Sequence, residues 1–191
     1  MFALKLARAS GLRVILSSSS DDKLERMRKQ FASPPLLTVN YKDSNWHERV
    51  LELTDGVGVD FVLENGGTGS LVQSLKCTRR GGTISQVGYL GKQNPADLRE
   101  LLPLLIDRRV NLRCVISFAV IFRRARRELT LCRRGINAGS RNDLEDLSAA
   151  LSAMQISLED IIDSTYPFEQ AEEAIESVWQ GKQVGKIVLT L

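Results

Sequence analysis

The sequence is poor in the residues from which disulfide frameworks and metal sites are built: three cysteines and one histidine in 191 residues. Cys77, Cys114 and Cys132 show no paired spacing, which argues against a disulfide scaffold and for a reducing compartment, the cytoplasm by default. One histidine, His47, and three scattered cysteines assemble no zinc site. No segment approaches the roughly 20 continuous apolar residues needed to span a bilayer, so a membrane role is not expected. The start, MFALKLARAS, mixes basic residues through an apolar helical pattern, unlike the basic-then-apolar order of a signal peptide. What is present is ordinary for one globular domain with a substantial core: 43% hydrophobic and 26% charged residues.

The net charge of +3 is unevenly spread. Cys114 to Arg134 carries six arginines and one glutamate, a local charge of +5, and the remainder is therefore at −2. An argument from basicity to nucleic acid or anionic lipid concerns only the run Arg123-Arg124-Ala125-Arg126-Arg127. Charge runs are usually solvated, so nucleic acid is the weaker reading of it.

The rest of the chain alternates between two periodicities. Phe2 to Ala9 is helix-favouring and ends at Gly11; Arg13 to Ser17 reads as a short strand. Ser20, Asp21 and Asp22 open a helix with Leu24, Met27 and Phe31 on its buried face, and Leu36 to Val39 is the next strand. Trp46, Val50 and Leu53 form a helical stripe, Val59 to Glu64 a strand, Ser70 to Lys76 a helix and Thr83 to Val87 a strand led in by Gly81-Gly82. Asp97 to Asp107 reads as one leucine-rich helix kinked at Pro103, followed by a strand from Val110. Asp143 to Met154, Ile161 to Tyr166, Glu169 to Gln180 and Lys186 to Leu191 continue as helix, strand, helix and strand. Strands alternating with helices across short glycine-bearing turns predict an α/β fold, a doubly wound parallel sheet covered on both faces.

Five stretches in order, SSSSDDKLE, WHERVLELTDGVGVDFVLENGG, GGTISQVGYLG, GINAGSRNDLEDL and YPFEQAEEAIESVWQGKQVGKIVL, resemble the zinc-type alcohol dehydrogenases of the medium-chain dehydrogenase/reductase family. The resemblance implies a Rossmann-type sheet carrying NAD or NADP, with hydride transfer between an alcohol or carbonyl substrate and nicotinamide. It implies zinc in a domain N-terminal to this one, small-molecule substrates in full-length relatives, and homodimers formed through this domain. Residues 1–157 then correspond to a partial nucleotide-binding domain, and 158–191 to a tail that in the family packs on the N-terminal catalytic domain.

The sequence departs from that pattern twice. The first strand and G-x-G-x-x-G turn of a Rossmann domain have no counterpart before Phe2. The expectation is an incomplete sheet, with either a gap or a new pairing between the strands at Val14 and Val59, and a chain inactive alone. The second departure is Cys114 to Arg134, a 21-residue insertion of foreign composition, read as retained intron sequence or a misjudged splice.

The candidate cofactor residues sit where strands end, the edge at which open α/β sheets bind ligands. Ser19 and Ser20 with Lys23 replace the acidic residue usual in NAD-specific domains, and their hydroxyls and ammonium suit a 2′-phosphate, which favours NADP. The alternative is that Ser20 and Asp21 simply cap a helix. Asn65 and Gly66, Gly88 and Tyr89, and Gly139, Ser140 and Arg141 follow later strands; family position makes them ribose and nicotinamide contacts, whereas glycines alone would only mark tight turns. Lys186 is a further candidate, against the alternative of a solvated lysine opening a strand. No catalytic or metal-ligating residue is assigned. Cys77 reads as a buried apolar residue, His47 as structural or exposed, and Glu64 as a strand end and not a general base. Two other functions stay open: a non-catalytic nucleotide-binding or regulatory protein, and nucleic-acid binding through the arginine run.

Overall fold

In the computed structural model the described residues are 1–88, 94–114 and 140–191. Among them the chain alternates helix and strand: α1 (Phe2–Ala9), β1 (Ile15–Ser18), α2 (Asp21–Gln30), β2 (Leu37–Asn40), α3 (Trp46–Leu53), β3 (Val59–Glu64), α4 (Thr68–Cys77) and β4 (Thr78–Gln86). A 3-10 turn at Pro95–Leu98 precedes α5 (Leu101–Arg108), then come β5 (Asn111–Cys114), α6 (Arg141–Ala153), β6 (Ile162–Pro167), α7 (Ala171–Trp179) and β7 (Lys186–Thr190). The insertion expected after Arg113 lies outside the described residues beyond Cys114.

Among the described residues the strands form three sheets, β1–β2, β3–β4–β5 and β6–β7. The pairings β3–β4, β4–β5 and β6–β7 are parallel, as alternation with helices requires. β1 and β3 are not ladder partners, so of the two outcomes expected for the sheet the new pairing does not occur.

Two compact units divide the described chain. One comprises Met1–Leu16, Glu25–Leu36 and Arg141–Leu191; the other comprises Ser17–Leu24 and Leu37–Ser140. The first packs Leu4, Met27 and Leu36 into a small core ringed by Val14, Leu16, Phe31 and Val184. Asp160 gathers polar ties there: Lys5 pairs with its carboxylate, and Gln30 Nε2 donates to its carbonyl at 3.0 Å. No residue of α6 is buried.

The second unit has the stronger core. Leu71, Leu75, Ile84 and Leu105 are buried together, with Val62, Leu101, Leu104 and Leu112 packed against them. Because strand side chains alternate, Val62 and Ile84 face this core while Phe61 and Leu63 point the other way. Phe61 and Leu63 are exposed. The α/β fold with parallel strands and intervening helices is as expected, and within it the Phe61 and Leu63 face of β3 is exposed.

Other corrections are local and physical. Residues Asp97 to Asp107 are not one helix: Asn94 accepts the Ala96 N–H and starts a 3-10 turn, and α5 begins only at Leu101. Pro103 thus falls in the first turn of α5, where its missing N–H costs nothing, and no mid-helix kink arises. β4 starts at Thr78, earlier than expected, because Thr78 pairs with Val59 before the register shifts toward Phe61↔Thr83. Gly58 permits that early pairing. Its φ is +92°, and a Cβ there would lie 2.6 Å from the Cys77 carbonyl oxygen. α4 likewise begins at Thr68 instead of Ser70, capped by Gly67 at φ +93°.

Candidate functional site

β1 ends in the serine turn. Ser18 Oγ accepts the Ser20 N–H at 3.3 Å, and Ser20 Oγ accepts the Lys23 N–H at 3.4 Å. Ser20 therefore caps α2, whose first turn also carries Asp21 and Asp22 against the helix dipole. Beside it, Asn40 Nδ2 donates to Asp21 Oδ1 at 3.0 Å, and the Tyr41 N–H donates to the Ser18 carbonyl at 3.0 Å. Ser19 and Lys23 are half-buried in this turn.

The ends of β3 and β4 are joined at Glu64, which is 5% exposed. Its Oε1 accepts the Gly66 N–H at 2.6 Å and the Ser70 hydroxyl at 2.7 Å; its Oε2 accepts the buried Ser74 hydroxyl. The Glu64 carbonyl accepts the Val87 N–H at 2.8 Å and the Gly88 N–H at 3.4 Å. Gln86 stands opposite Glu64 in register. Its Nε2 donates to the Glu64 carbonyl at 3.4 Å and to the Gly88 carbonyl. Two carbonyls against one amide fix which end is nitrogen. Gln86 Oε1 is left buried without a hydrogen-bond partner, a state that costs about 1–3 kcal/mol unless something donates to it. At Gly66 a Cβ would come 2.3 Å from Ser70 Oγ and 3.2 Å from Glu64 Oε1.

Asn65, Gly66 and Gly88 are thus brought together by one acid. Ser140 is exposed at the end of the same unit. Arg141 and Lys186 belong to the other unit: Arg141 opens α6 and pairs with Glu145 at 2.7 Å, and Lys186 is an exposed residue opening β7. Tyr89 and Gly139 lie outside the described residues. Sequence reasoning took Glu64 for a strand end alone and passed over Gln86, Ser70 and Ser74. The available signal was the spacing of Ser70 and Ser74, four apart in α4, behind an acid at the end of an apolar strand.

The remaining polar candidates are structural. Gln73 Nε2 donates to the Ser44 carbonyl at 3.0 Å, so its Oε1 faces His47 Nδ1 at 3.2 Å and that nitrogen carries the proton. Burial pushes the Cys77 thiol up to about 12, the opposite of an activated nucleophile. Among the described residues no group of three or more histidine, cysteine, aspartate or glutamate side chains could hold a metal ion. Zinc has no fitting ligand set in these residues. No described helix is long and apolar enough to cross a membrane.

Parallel strands whose carboxyl ends carry glycine turns leading into helices are the arrangement of a Rossmann-type fold, and the family comparison agrees. Residues 1–129 match the family model described as zinc-binding dehydrogenase. The chain belongs to that family. A zinc-type alcohol dehydrogenase-like protein of Schizosaccharomyces pombe is 32% identical over 192 residues, a match covering all of this chain and 48% of the relative. An alcohol dehydrogenase-type structure from Sinorhizobium meliloti 1021 is 30% identical, with a TM-score of 0.72 over 98% of this chain and 46% of that one. An NAD-dependent alcohol dehydrogenase at 23% identity shares the fold, with a TM-score of 0.71 over 99% of this chain and 47% of its own. The chain spans about half the length of these proteins and corresponds to the family's C-terminal half. Members of the zinc-binding dehydrogenase family use NAD(P) and zinc.

Proposed function

We propose that this chain is the dinucleotide-binding part of an alcohol dehydrogenase-like oxidoreductase and holds NADP in preference to NAD. The observation that carries the reading is the pair of turns at the carboxyl ends of β3 and β4, pinned together at Glu64, in a chain of the zinc-binding dehydrogenase family. One feature suits a bound dinucleotide: the buried Gln86 Oε1 that lacks a donor.

A bound nicotinamide supplies a hydride acceptor or donor for an alcohol or carbonyl carbon. The chain's own residues bind and orient. The hydroxyls of Ser19 and Ser20 and the charge of Lys23, at the end of β1, favour a 2′-phosphate over a bare ribose diol. Asn65, Gly66 and Gly88 seat the ribose and nicotinamide, with Tyr89, Gly139, Ser140, Arg141 and Lys186 as further contacts. In this reading residues 1–157 form the nucleotide-binding part, and 158–191 a tail that packs on the substrate-binding half of the enzyme. The free, buried Cys77 suits a reducing, cytoplasmic setting.

The described residues offer no ligand set for zinc, and their part is to bind and orient. The expected result for this chain alone, given NADP and a panel of alcohols, is no zinc-dependent turnover; turnover above a heat-killed control would contradict it. Cofactor choice is tested by Lys23→Ala. It should weaken NADPH about tenfold while leaving NADH within about twofold. An unchanged NADPH-to-NADH ratio would remove Lys23 from the site.

A further inference from the structure

We infer that Glu64 is a positioning residue that sets both cofactor-facing turns at once, and this rests on the dinucleotide reading above. Its carboxylate holds the Asn65–Gly67 turn from beneath, and its main-chain carbonyl holds the exit of β4.

Glu64 ends β3 two residues after the core-packed Val62, and it is 5% exposed. Among the described residues no lysine or arginine forms an ion pair with it. A buried carboxylate without a counter-ion is among the most expensive side chains to place, and an aliphatic residue would end the strand more cheaply. The position is tolerable only because donors surround it. The Gly66 N–H at 2.6 Å, the Ser70 hydroxyl at 2.7 Å and the Ser74 hydroxyl all point at its two oxygens. Ser70 and Ser74 are one helical turn apart, so α4 presents both hydroxyls to the same strand end.

These donors belong to the turn and helix that follow β3. The main-chain carbonyl of the same residue takes the Val87 N–H at 2.8 Å, the Gly88 N–H at 3.4 Å and Gln86 Nε2 at 3.4 Å, all from β4 and its exit. One residue therefore fixes the height of two turns relative to each other. The Gly66 backbone is seated against the carboxylate, since even a Cβ there would come within 3.2 Å of Glu64 Oε1. A shift of about an ångström in a binding turn is enough to lose affinity, so removing the acid acts on cofactor binding without the acid touching the cofactor.

The test uses the full chain with Glu64→Leu and Glu64→Gln. Each is titrated with NADPH and with adenosine 2′,5′-bisphosphate, which has the phosphate end but no nicotinamide half. Amide exchange at Gly66 and Gly88 is followed in parallel. Glu64→Leu should weaken NADPH about tenfold and the bisphosphate less than about twofold, with faster exchange at Gly66. Glu64→Gln should restore most of the loss: its amide oxygen accepts from Gly66 and Ser70, and its NH2 donates to a Ser74 hydroxyl that turns round. Should Glu64→Leu fail to fold, Ser74→Ala removes one donor and should give the same pattern at about threefold. Equal weakening of both ligands, no rescue by glutamine, or unchanged Gly66 exchange would each overturn the inference. A wild-type chain that bound neither ligand would instead overturn the dinucleotide reading, and amide exchange at Gly66 would then judge the clamp by itself.

Discussion

Two of the parallel strand–helix–strand units among the described residues, β3–α4–β4 and β6–α7–β7, treat their helices oppositely. In the first, Leu71 and Leu75 of α4 are 1% and 0% exposed. In the second, only Ala174 of α7 is buried, while Ile175, Val178 and Trp179 are 66%, 49% and 86% exposed. Acids follow the same division. Glu64 is enclosed by donors, whereas Glu172, Glu173 and Glu176 are exposed. Topology alone therefore does not say where stability or a site resides. The enclosed unit has both a packed core and a fixed polar centre.

The largest expected effect contrasts the two helices directly. Leu75→Ala should destabilise the chain by about 2–5 kcal/mol in urea unfolding, since its cavity has no solvent to fill it. Ile175→Ala should stay within about 0.5 kcal/mol, as a surface change does. Comparable losses at both positions would break the comparison.

Gly58→Ala comes next, at about 1–3 kcal/mol, because φ +92° and the Cys77 carbonyl 2.6 Å from the new Cβ both resist it. A variant as stable as wild type would show that the early start of β4 at Thr78 is dispensable.

A smaller effect concerns Cys77. Its folded pKa is raised to about 12 from an ordinary value of 9.0, so between those pH values the unfolded chain has lost a proton that the folded chain keeps. Stability from this group is therefore complete below about pH 9 and falls as pH rises toward 12. The thermal midpoint should decline over that range less steeply in Cys77→Ala than in wild type. Peptide-resolved alkylation at pH 8 should find Cys77 unreacted until the chain unfolds.

Much of the enclosed unit was legible because its signals agree. Val59, Phe61, Val62 and Leu63 make a run of β-favouring apolar residues bounded by glycine turns, and β3 occupies Val59–Glu64. Trp46, Val50 and Leu53 keep helical spacing, and α3 runs from Trp46 to Leu53. Burial in α7 was not legible. A stripe of Ala171, Ala174, Ile175 and Val178 reads the same whether or not another surface lies against it. The site was half-legible: glycine after a strand marks the turn, but the acid that fixes the turn depends on Ser70 and Ser74 approaching from a different element. Asp97 to Asp107 misled because an Asn94-capped 3-10 turn and an α-helix in sequence share one leucine-rich pattern.

The most direct test of the central claim is a titration of the full chain with NADPH and NADH, followed by the fluorescence of the reduced nicotinamide. The account predicts saturable binding with NADPH the tighter ligand. No saturation of either up to about millimolar concentration, the weak end of dinucleotide affinity, would contradict a dinucleotide site at the ends of β3 and β4. Tighter NADH would contradict the role given to Ser19, Ser20 and Lys23.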